Sequence, residues 1–389
     1  MTAPKLRFKE FHADWKLDLL GNLVQIKSGY SPSKYELEKS GEMPFLKVEE
    51  LNNCDKYQEY SRFYTERNSD AVPSQSVIFP KRGAAILNNK VRILRVDALL
   101  DSNLMALIPQ HSLDAEYLYY LINKIELYKI ADTSTIPQIN NKHIEPYSIY
   151  LPSKEEQTKI ASFLSAVDEK ISQLTQKHQL LSQYKQGMMQ KLFSQQIRFK
   201  ANDGSEFGEW EDKVLGDVIK FHNGKGHENN VDPNGKFILI NSKFVSTDMR
   251  VFKKVTACNQ KVFDDCLVMV MSDVPNGKAI AKVLYIEDGS KYALNQRIGM
   301  FVFNKINHPK FFQYQLNRHK YYLAFDSGVG QTNLKKEEVL SCPIFVPCLA
   351  EQTKIANFLS AMDQKIEVVA QQIEQAKTWK KGLLQQMFV

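Results

Sequence analysis

The chain has 389 residues, of which 43% are hydrophobic and 24% charged, with a formal net charge of +7. Such values are typical of a globular protein with roughly two to four domains, and the modest basic excess is compatible with a polyanionic partner without establishing one. No apolar run reaches the roughly 18 residues of a membrane span, and the first residues lack the apolar centre of a signal peptide, so we expect a cytoplasmic protein with no membrane partner. The five cysteines form no CxxC pair, which favours reduced thiols over disulfides or a zinc site.

The first part of the chain, residues 1–150, alternates short apolar runs with one amphipathic segment. Strands are predicted at "SVIFP", "AAIL" and "NLMALIPQ". The segment "DAEYLYYLINKIELYKI" predicts a helix, because Leu118, Leu121, Ile122 and Ile125 share one helical face. We predict a first mixed α/β domain over this range.

A long helix is predicted over residues 151–197. Pro152 ends the preceding strand, and Ser153 with Glu156 forms an S-x-x-E capping box at the start of the helix. No further proline follows until past Phe193, so nothing interrupts the helix.

The second part of the chain repeats the first. Between Glu156 and Ile171, 13 of 16 residues recur at Glu351 to Ile366, 195 positions later. The segments "FILINSKFV", "CLVMVMSDV", "AIAKVLYI" and "GMFVFN", followed by the helical "KFFQYQLNRHKYYLAF", restore the order of the first domain. A repeat this long indicates two copies of a whole domain with its helix, rather than a solenoid. We therefore predict a second domain over residues 198–346 and a C-terminal helix over 347–389, in which Cys348 replaces the capping Ser153.

Both long helices carry heptad repeats of apolar residues, which are typical of coiled coils. A helix of this size is about 60 Å long. An antiparallel pair within the chain would bury both seams, whereas a homodimer zipper is the alternative, since heptads alone do not select the partner. The predicted seam consists of Ile160, Leu164, Val167, Ile171, Leu174, Leu181, Ile355, Leu359, Met362, Ile366, Val369, Ile373 and Leu383.

A search for catalytic motifs finds none that is convincing. The segment "NGKGHENN" lacks the GxxxxGK[ST] pattern and is interpreted as a flexible basic loop. The segment "DVPNGKAIAK" resembles a nuclease carboxylate and lysine cluster only faintly, and no HExxH, GxGxxG or GxSxG is present. We expect no catalytic residues, no metal site and no cofactor in this chain.

Loops rich in lysine, arginine, asparagine and glutamine instead follow the predicted strands and helices of both halves. Arginine and lysine pair with guanine edges and phosphates, and asparagine and glutamine pair with adenine. For any single residue an ordinary polar turn is the simpler explanation, but the same type of loop in both halves favours a shared role. The predicted DNA-binding residues are Tyr30, Lys34, Lys47, Lys81, Arg82, Gln138, Asn140, Lys142, Lys225, His227, Lys243, Asn276, Lys278, Gln331, Asn333 and Lys335.

Over essentially its full length the chain resembles the specificity subunit of type I restriction-modification systems. The resemblance rests on "SGYSP" after Trp15 and Leu20-Gly21, on "PKRG", on "GVGQTNLKKEEVLSCPIFVP", and on the "EQTKIA" helix that occurs twice. It implies an α+β fold with two target-recognition domains related by duplication and separated by two long antiparallel helices. Each domain is expected to recognise one half of a bipartite, asymmetric DNA site, with the helices setting the spacer.

The resemblance also implies that catalysis belongs to partner subunits. Methyltransferase subunits would bind S-adenosylmethionine and dock on the helices, and motor-nuclease subunits would use ATP and magnesium. Two alternatives remain open at the level of sequence. One is a stand-alone bipartite DNA-binding protein, and the other is a nuclease with a hidden site that includes Asp273 and Lys278.

Overall fold

The computed structural model describes residues 3–133, 136–275 and 277–389. The chain divides into two compact units. The first contains the residues up to Lys177 together with Val369–Val389, and the second contains His178–Val368. Each unit therefore holds one globular domain and a part of both long helices. The boundary between the units falls inside the two helices, which the sequence predicted as segments separate from the domains.

Short strands and helices make up the first globular domain, and the first long helix follows it. The described strands are β1 (Lys16–Leu19), β2 (Val24–Ser28), β3 (Met43–Leu46), β4 (Tyr57–Gln58), β5 (Tyr64–Thr65), β6 (Val77–Pro80), β7 (Arg92–Leu94), β8 (Leu99–Leu100), β9 (Leu104–Pro109) and β10 (Ser148–Leu151). The helices are α1 (Leu20–Leu23), α2 (Ala115–Ile125), α3 (Leu127–Ile130), α4 (Asn141–Ile144) and the long α5 (Lys154–Phe193).

The second globular domain has a similar series of elements and precedes the second long helix. Its described strands are β11 (Glu211–Val214), β12 (Ile219–Asn223), β13 (Phe237–Ile240), β14 (Lys253–Val255), β15 (Cys266–Val270), β16 (Ser272–Asp273), β17 (Val283–Ile286), β18 (Tyr292–Leu294), β19 (Ile298–Phe303), β20 (Thr332–Asn333) and β21 (Pro343–Val346). The helices are α6 (Ser242–Ser246), α7 (Pro309–Leu316), α8 (Lys320–Leu323), α9 (Lys336–Leu340) and the long α10 (Leu349–Met387).

The main sheets of the two domains match strand for strand except at one edge. In the first domain the order is β2-β9-β6-β7-β4, and in the second it is β12-β19-β15-β17. A smaller sheet accompanies each, with the orders β5-β3-β8 and β14-β13-β18. In both smaller sheets the central strand has one antiparallel and one parallel neighbour. The predicted duplication and the α+β fold class are thus confirmed.

One helix packs on the main sheet of each domain. Helix α2 is capped by Asp114, whose side chain accepts a hydrogen bond from the Tyr117 N–H at 3.0 Å, and the buried face of α2 belongs to the main hydrophobic cluster of the first unit. In the second domain α7 starts after His308 and buries Phe311 and Phe312.

Two strand predictions are wrong in detail. The segment "AAIL" lies in a 3-10 turn over Ala84–Asn88, bounded by Gly83 at φ 78° and by Asn89 at φ 44°. These left-handed residues prevent an extended strand, although Ile86 is fully buried, as an apolar strand residue would be. The segment "FILINSKFV" ends its strand at Ile240, because the Asn241 side chain caps α6 by accepting from the Phe244 N–H at 2.9 Å.

The long helices pair within each unit. In the first unit, Ile160 and Leu164 of α5 share one buried cluster with Leu383 and Met387 of α10 and with the domain core. In the second unit, Leu192 of α5 lies in one cluster with the α10 residues Ile355 and Leu359 and with the core of that domain. The early residues of one helix thus lie near the late residues of the other, as in an antiparallel pair. Of the predicted seam, the buried positions are Ile160, Leu164, Val167, Leu174, Ile355, Leu359, Met362, Val369, Ile373 and Leu383, and the half-buried ones are Ile171, Leu181 and Ile366.

The duplicated phrase at the start of each long helix has a structural role that the sequence alone did not reveal. The Glu156 carboxylate is 2% exposed and accepts hydrogen bonds from Arg7 at 2.7 and 2.8 Å. In the second unit Glu351 is fully buried and bound by Arg198 at 3.1 and 2.7 Å, and it also accepts from the Trp210 Nε1–H at 3.0 Å. These pairs raise the pKa of each arginine, chiefly through the hydrogen bond to the glutamate. The predicted capping box is half formed, because Ser153 Oγ accepts from the Glu156 N–H at 3.3 Å while the Glu156 side chain binds Arg7.

A second pair of matched contacts joins the domain helix to both long helices. In the first unit Asp168 accepts from the Tyr120 hydroxyl at 2.7 Å and pairs with Lys380 at 2.5 Å. In the second unit Asp363 accepts from the Tyr314 hydroxyl at 2.7 Å and pairs with Lys185. Each repeated aspartate therefore joins three helices of its own unit.

Within the described part of the chain, every helix is too short or too polar to cross a lipid bilayer.

Replacing Arg198 by methionine should destabilise the second unit, because the fully buried Glu351 carboxylate would lose its cation. Removing one partner of a buried ion pair costs about 3 kcal/mol or more. The midpoint of thermal unfolding should fall accordingly. The control is Lys377→Ala, whose partner Glu374 is 73% exposed, and we expect a change below about 0.5 kcal/mol. Equal effects of both changes would contradict a structural role for the buried pair.

Candidate nucleic-acid interface

In the first unit, the segment after β6 pairs with the segment that leads into α4. Lys81 N–H donates to the Asn103 carbonyl at 2.8 Å, and the Lys81 carbonyl accepts from the Ile139 N–H at 2.9 Å. Arg82 forms an antiparallel bridge with Gln138. This pairing brings Lys81, Arg82 and Gln138, which are far apart in sequence, to one place.

The second unit pairs the corresponding segments. Strands β16 and β20 run antiparallel, with Ser272 opposite Asn333 and Asp273 opposite Thr332. The Ser272 hydroxyl donates to Asn333 Oδ1 at 2.6 Å and accepts from Gln331 Nε2 at 2.6 Å. Gln331 and Asn333 are both exposed.

The two pairings share one side-chain contact. Gln138 Nε2 donates to Asn140 Oδ1 at 3.1 Å, and Gln331 Nε2 donates to Asn333 Oδ1 at 3.2 Å. The same Gln-x-Asn arrangement thus precedes a short helix in each unit, α4 in the first and α9 in the second. We refer to the paired segments 81–82 with 138–140 as the first platform, and to 272–273 with 331–333 as the second platform.

Lysine and arginine differ in their surroundings on the first platform. The Lys81 ammonium is half-buried and donates to Ser28 Oγ at 2.9 Å at the end of β2. Burial lowers the pKa of Lys81, the neighbouring Arg82 lowers it further, and Asp101 opposes both. Arg82 is exposed, so its guanidinium is the freer of the two cations.

Two glycines at matching positions hold the loops after β2 and β12 against the ends of β8 and β18. A Cβ on Gly29 would lie 2.1 Å from the Leu100 carbonyl oxygen, and one on Gly224 would lie 1.8 Å from that of Asn295. Only glycine permits such an approach. The residues that follow them, Tyr30 and Lys225, are both exposed.

Other candidates of the first unit form separate clusters. Lys34 lies 3.8 Å above the Tyr30 ring and is paired with Asp70 at 2.5 Å, so a carboxylate already balances its charge. The Lys34 hydrogen bond lowers the pKa of Asp70. Lys47 Nζ lies 3.9 Å from the centre of the Phe63 ring. Among the described residues, no hydrogen bond, ion pair or cation–π contact joins either lysine to the first platform.

The structure corrects the role predicted for His227. This side chain is 1% exposed, its Nδ1 lies 2.7 Å from the Lys225 carbonyl, and its Nε2 accepts from the Asn259 N–H at 3.0 Å. Both ring nitrogens are therefore used within the protein, which leaves none for DNA. His227 shapes the loop that presents Lys225.

The remaining candidates lie on exposed surface or outside the described residues. Lys243 belongs to α6, Lys142 to α4, and Lys335 precedes α9. The Lys278 carbonyl accepts from Arg318 Nη1 at 2.6 Å, and the Lys278 side chain is exposed. Asn276 lies outside the described residues. The exposed lysines of this group are Lys142, Lys243, Lys278 and Lys335.

The carboxylate that suggested a nuclease holds a turn instead. Asp273 Oδ1 accepts from the Val274 N–H at 2.9 Å, and Oδ2 accepts from Ala279 and Ile280 at 2.6 and 3.0 Å. Among the described residues, no group of three or more His, Cys, Asp or Glu side chains could hold a metal ion. This geometry does not favour the nuclease alternative.

Sequence analysis missed the hydroxyls that support the platforms. Ser28 holds the Lys81 ammonium, and Ser272 bridges Gln331 and Asn333. Asn103 accepts the Lys81 N–H through its carbonyl. A single serine in a strand end carries no distinctive signal, although Ser28 precedes the glycine of "SGYSP".

The family described as the type I restriction modification DNA specificity domain matches the chain twice, over residues 12–183 and 208–378. The two matches together cover most of the chain. The chain belongs to this family. Both matches include a globular domain with most of its long helix, in agreement with the duplication.

Relatives of this specificity-domain family resemble the chain over almost its whole length. The type I restriction enzyme MjaVIII specificity subunit of Methanocaldococcus jannaschii is 26% identical, over 97% of this chain and 94% of that protein. The crystal structure of the type I restriction-modification S subunit from M. genitalium has a TM-score of 0.62 at 16% identity, covering 100% of this chain and 99% of the other. A chain from a structural study of complex assembly and conformational transition of the type I system has a TM-score of 0.58 at 12% identity, covering 95% and 96%. These structural similarities concern the fold.

Replacing Lys225 by alanine should weaken DNA binding without changing stability. If Lys225 contacts a phosphate, the slope of log binding constant against log salt concentration should decrease by about one. In contrast, His227→Leu removes two internal hydrogen bonds and should cost about 2 kcal/mol of stability. Binding titrations at several salt concentrations and thermal unfolding distinguish the two effects. An unchanged salt slope for Lys225→Ala would exclude the phosphate contact.

Proposed function

We propose that this chain is the non-catalytic DNA-specificity subunit of a type I restriction-modification complex and that each unit recognises one half of a bipartite site. The observation that carries the proposal is the presence of one polar platform in each unit, built from corresponding segments with different residues. Gln138 and Asn140 in the first platform match Gln331 and Asn333 in the second, but the segment paired with them carries Lys81 and Arg82 in the first platform and Ser272 and Asp273 in the second. Equal scaffolds with unequal side chains suit the recognition of two different half-sites.

The chemistry of the platforms suits base edges in the major groove. Glutamine and asparagine form paired hydrogen bonds with adenine, and arginine does so with guanine. Arg82 is the exposed cation of the first platform, whereas the second has two amides, a serine and the Asp273 carboxylate. Lysines nearby, such as Lys142 and Lys335, would hold phosphates and fix the register of the protein on the duplex.

The long helices would determine the spacing between the half-sites. Residues of α5 up to Lys177 belong to the first unit and later ones to the second, and α10 is divided in the same way at Val368. Each helix is continuous from one unit into the other. A continuous helix transmits a fixed distance of about 1.5 Å per residue. We infer that the number of helical residues sets the number of unread base pairs.

Partner subunits would supply the chemistry. Type I systems combine the specificity subunit with methyltransferase and motor-nuclease subunits, to which we assign S-adenosylmethionine, ATP and magnesium. We propose that the methyltransferase docks on outward faces of the long helices, where a Cβ on Gly187 or Gly382 would meet no atom within 4 Å. The helices also expose apolar side chains of the kind that a partner covers: Leu180 at 56%, Tyr184 at 53% and Trp379 at 54%. This surface favours the complex over a stand-alone DNA-binding protein.

Replacing Lys81 and Arg82 together by alanine should weaken recognition of one half-site only. Each lost base contact costs about 1–3 kcal/mol of discrimination. The measurement is sequencing of methylated adenines in cells that express the variant with its methyltransferase partner. The matched control is Gln331→Ala with Asn333→Ala, which should relax the other half-site. Equal loss at both halves would contradict recognition by separate units.

Inserting one heptad into both long helices, next to His178 in α5 and Val368 in α10, should lengthen the unread spacer. Seven helical residues add about 10.5 Å, equivalent to about three base pairs, and preserve the phase of the heptads. Methylation sequencing would report the new spacer. As a control, seven residues inserted at Gly204 in the junction after α5 should leave it unchanged. An unchanged spacer after the helical insertion would contradict the role of the helices.

A further inference from the structure

The main sheets of the two units differ at one edge. In the first unit β4 is the edge strand and pairs with β7 in parallel, with Tyr57 opposite Ile93. The Lys56 carbonyl accepts from the Ile93 N–H at 2.8 Å. In the second unit β17 has a single described neighbour, β15. The edge strand of the first unit therefore has no counterpart among the described residues of the second.

Tyr285 occupies the place of Ile93. The central residue Val77 pairs with Ile93 and Leu107, and Leu267 pairs with Tyr285 and Phe301 in the same way. The Val270 N–H donates to the Lys282 carbonyl, so the backbone of Lys282 faces β15. In an antiparallel ladder only every second residue faces a given neighbour. Tyr285 is three residues further on, so its N–H points away from β15. No acceptor for this N–H is found in the described part of the chain.

The reason for the difference lies in one connecting segment. Residues 53–63 join the turn after β3 to β5 in the first unit and supply β4. The corresponding residues 247–252 of the second unit are fewer and form no strand. Asp248 and Met249 adopt φ of 51° and 66°, and Lys282 Nζ holds Asp248 at 3.2 Å. The segment therefore turns back before it reaches the edge of the sheet.

Two cavities flank the open edge. One of about 550 Å³ is lined by Lys305, His308, Lys310 and Ser360, and another of about 380 Å³ by Met249 and Glu287. Tyr285 and Lys310 line both cavities, so the two together follow β17.

The first unit shows what fills this place. There the Lys56 ammonium is 9% exposed, pairs with Glu116, and donates to Tyr120 and Ser165 at 3.0 Å. Glu116 lies two residues after Asp114, the N-cap position of α2, and Lys310 lies two residues after His308, the N-cap position of α7.

These positions correspond, because the backbone N–H of each capping residue donates at 2.8 Å to the same repeated glutamine, Gln157 or Gln352. Ser360 corresponds in turn to Ser165 by the repeat. The carboxylate that receives Lys56 is thus replaced by a lysine in the second unit.

Among the described residues, no ion pair neutralises the Lys310 ammonium at the open edge. Lys310 Nζ lies 4.7 Å from the centre of the Tyr285 ring, and neither Lys310 nor Lys305 has an ion pair among the described residues. Of the carboxylates that line the two cavities, Asp265 accepts from the Tyr285 hydroxyl at 2.8 Å, and neither Glu287 nor Asp288 forms an ion pair with Lys310 in the described structure. An occupant would therefore need the opposite charge to that of Lys56.

We propose that the edge of β17 binds an extended segment of a partner protein that adds a parallel strand and places an acidic side chain against Lys310. The segment would complete the second sheet as β4 completes the first, with its main chain bonded to Tyr285. Its acidic residue would occupy the place of Lys56. This site is distinct from the platforms, so the tests of DNA recognition do not depend on it.

The test uses the full chain and a synthetic peptide with the sequence of residues 53–61, carrying Cys54→Ser and Lys56→Glu. The matched control peptide keeps Lys56. We expect the acidic peptide to bind about tenfold more tightly than the control, as measured by fluorescence anisotropy. In the chain variant Lys310→Glu the preference should reverse. This variant should fold, because Glu116 occupies the same place in the first unit and a carboxylate is favourable at a helix N-terminus.

Hydrogen exchange gives a second, independent measurement. The Tyr285 amide should become protected when the acidic peptide binds, since it gains an acceptor. The proposal is overturned if neither peptide binds at about 1 mM, or if Lys310→Glu leaves the relative affinity of the two peptides unchanged. It is also overturned if the Tyr285 amide stays unprotected. Protection of the same amide by a DNA duplex that displaces the peptide would also overturn it, since the edge would then belong to nucleic acid.

Discussion

The buried glutamate at the start of each long helix is the interaction on which the rest of each unit depends. Glu156 and Glu351 hold arginines that lie 149 and 153 residues earlier in the chain, Arg7 and Arg198. The pair fixes the segment that enters the domain against the helix that leaves it. Since a buried carboxylate without a cation is costly, this contact ties the position of the helix to that of the domain. The adjacent Gln157 and Gln352 extend it by binding the turn before the domain helix.

A series of further contacts connects these buried glutamates to the platforms. The aspartates twelve residues later join the domain helix to both long helices, through Tyr120 in one unit and Tyr314 in the other. The domain helix in turn supports the main sheet, and the platforms lie where the central strand of that sheet ends. Base recognition would thus depend on a chain of buried contacts that begins at the repeated helix, although no residue of that helix is expected to touch a base.

Sequence analysis predicted the parts of the structure that rest on periodicity and repetition. The two helices, the duplication and the polar strand-end loops each depend on many residues, so one misleading residue did not change the prediction. The failures were local. The segment at Ala84–Asn88 is apolar but is bounded by left-handed residues, and His227 lies among polar loop residues yet is fully bonded inside the protein. The pairing of Arg82 with Gln138 depends on a contact between distant segments, which no local pattern encodes.

The division of the chain into units has a consequence for folding during synthesis. The second unit is a continuous stretch, His178–Val368, whereas the first needs Val369–Val389 to complete its core. Leu383, Met387 and Phe388 belong to the same buried cluster as Ile160 and Leu164. The ribosome therefore makes the first domain long before it makes Val369–Val389, which complete the core of that domain. Until those residues emerge, part of the apolar surface of the first domain stays uncovered.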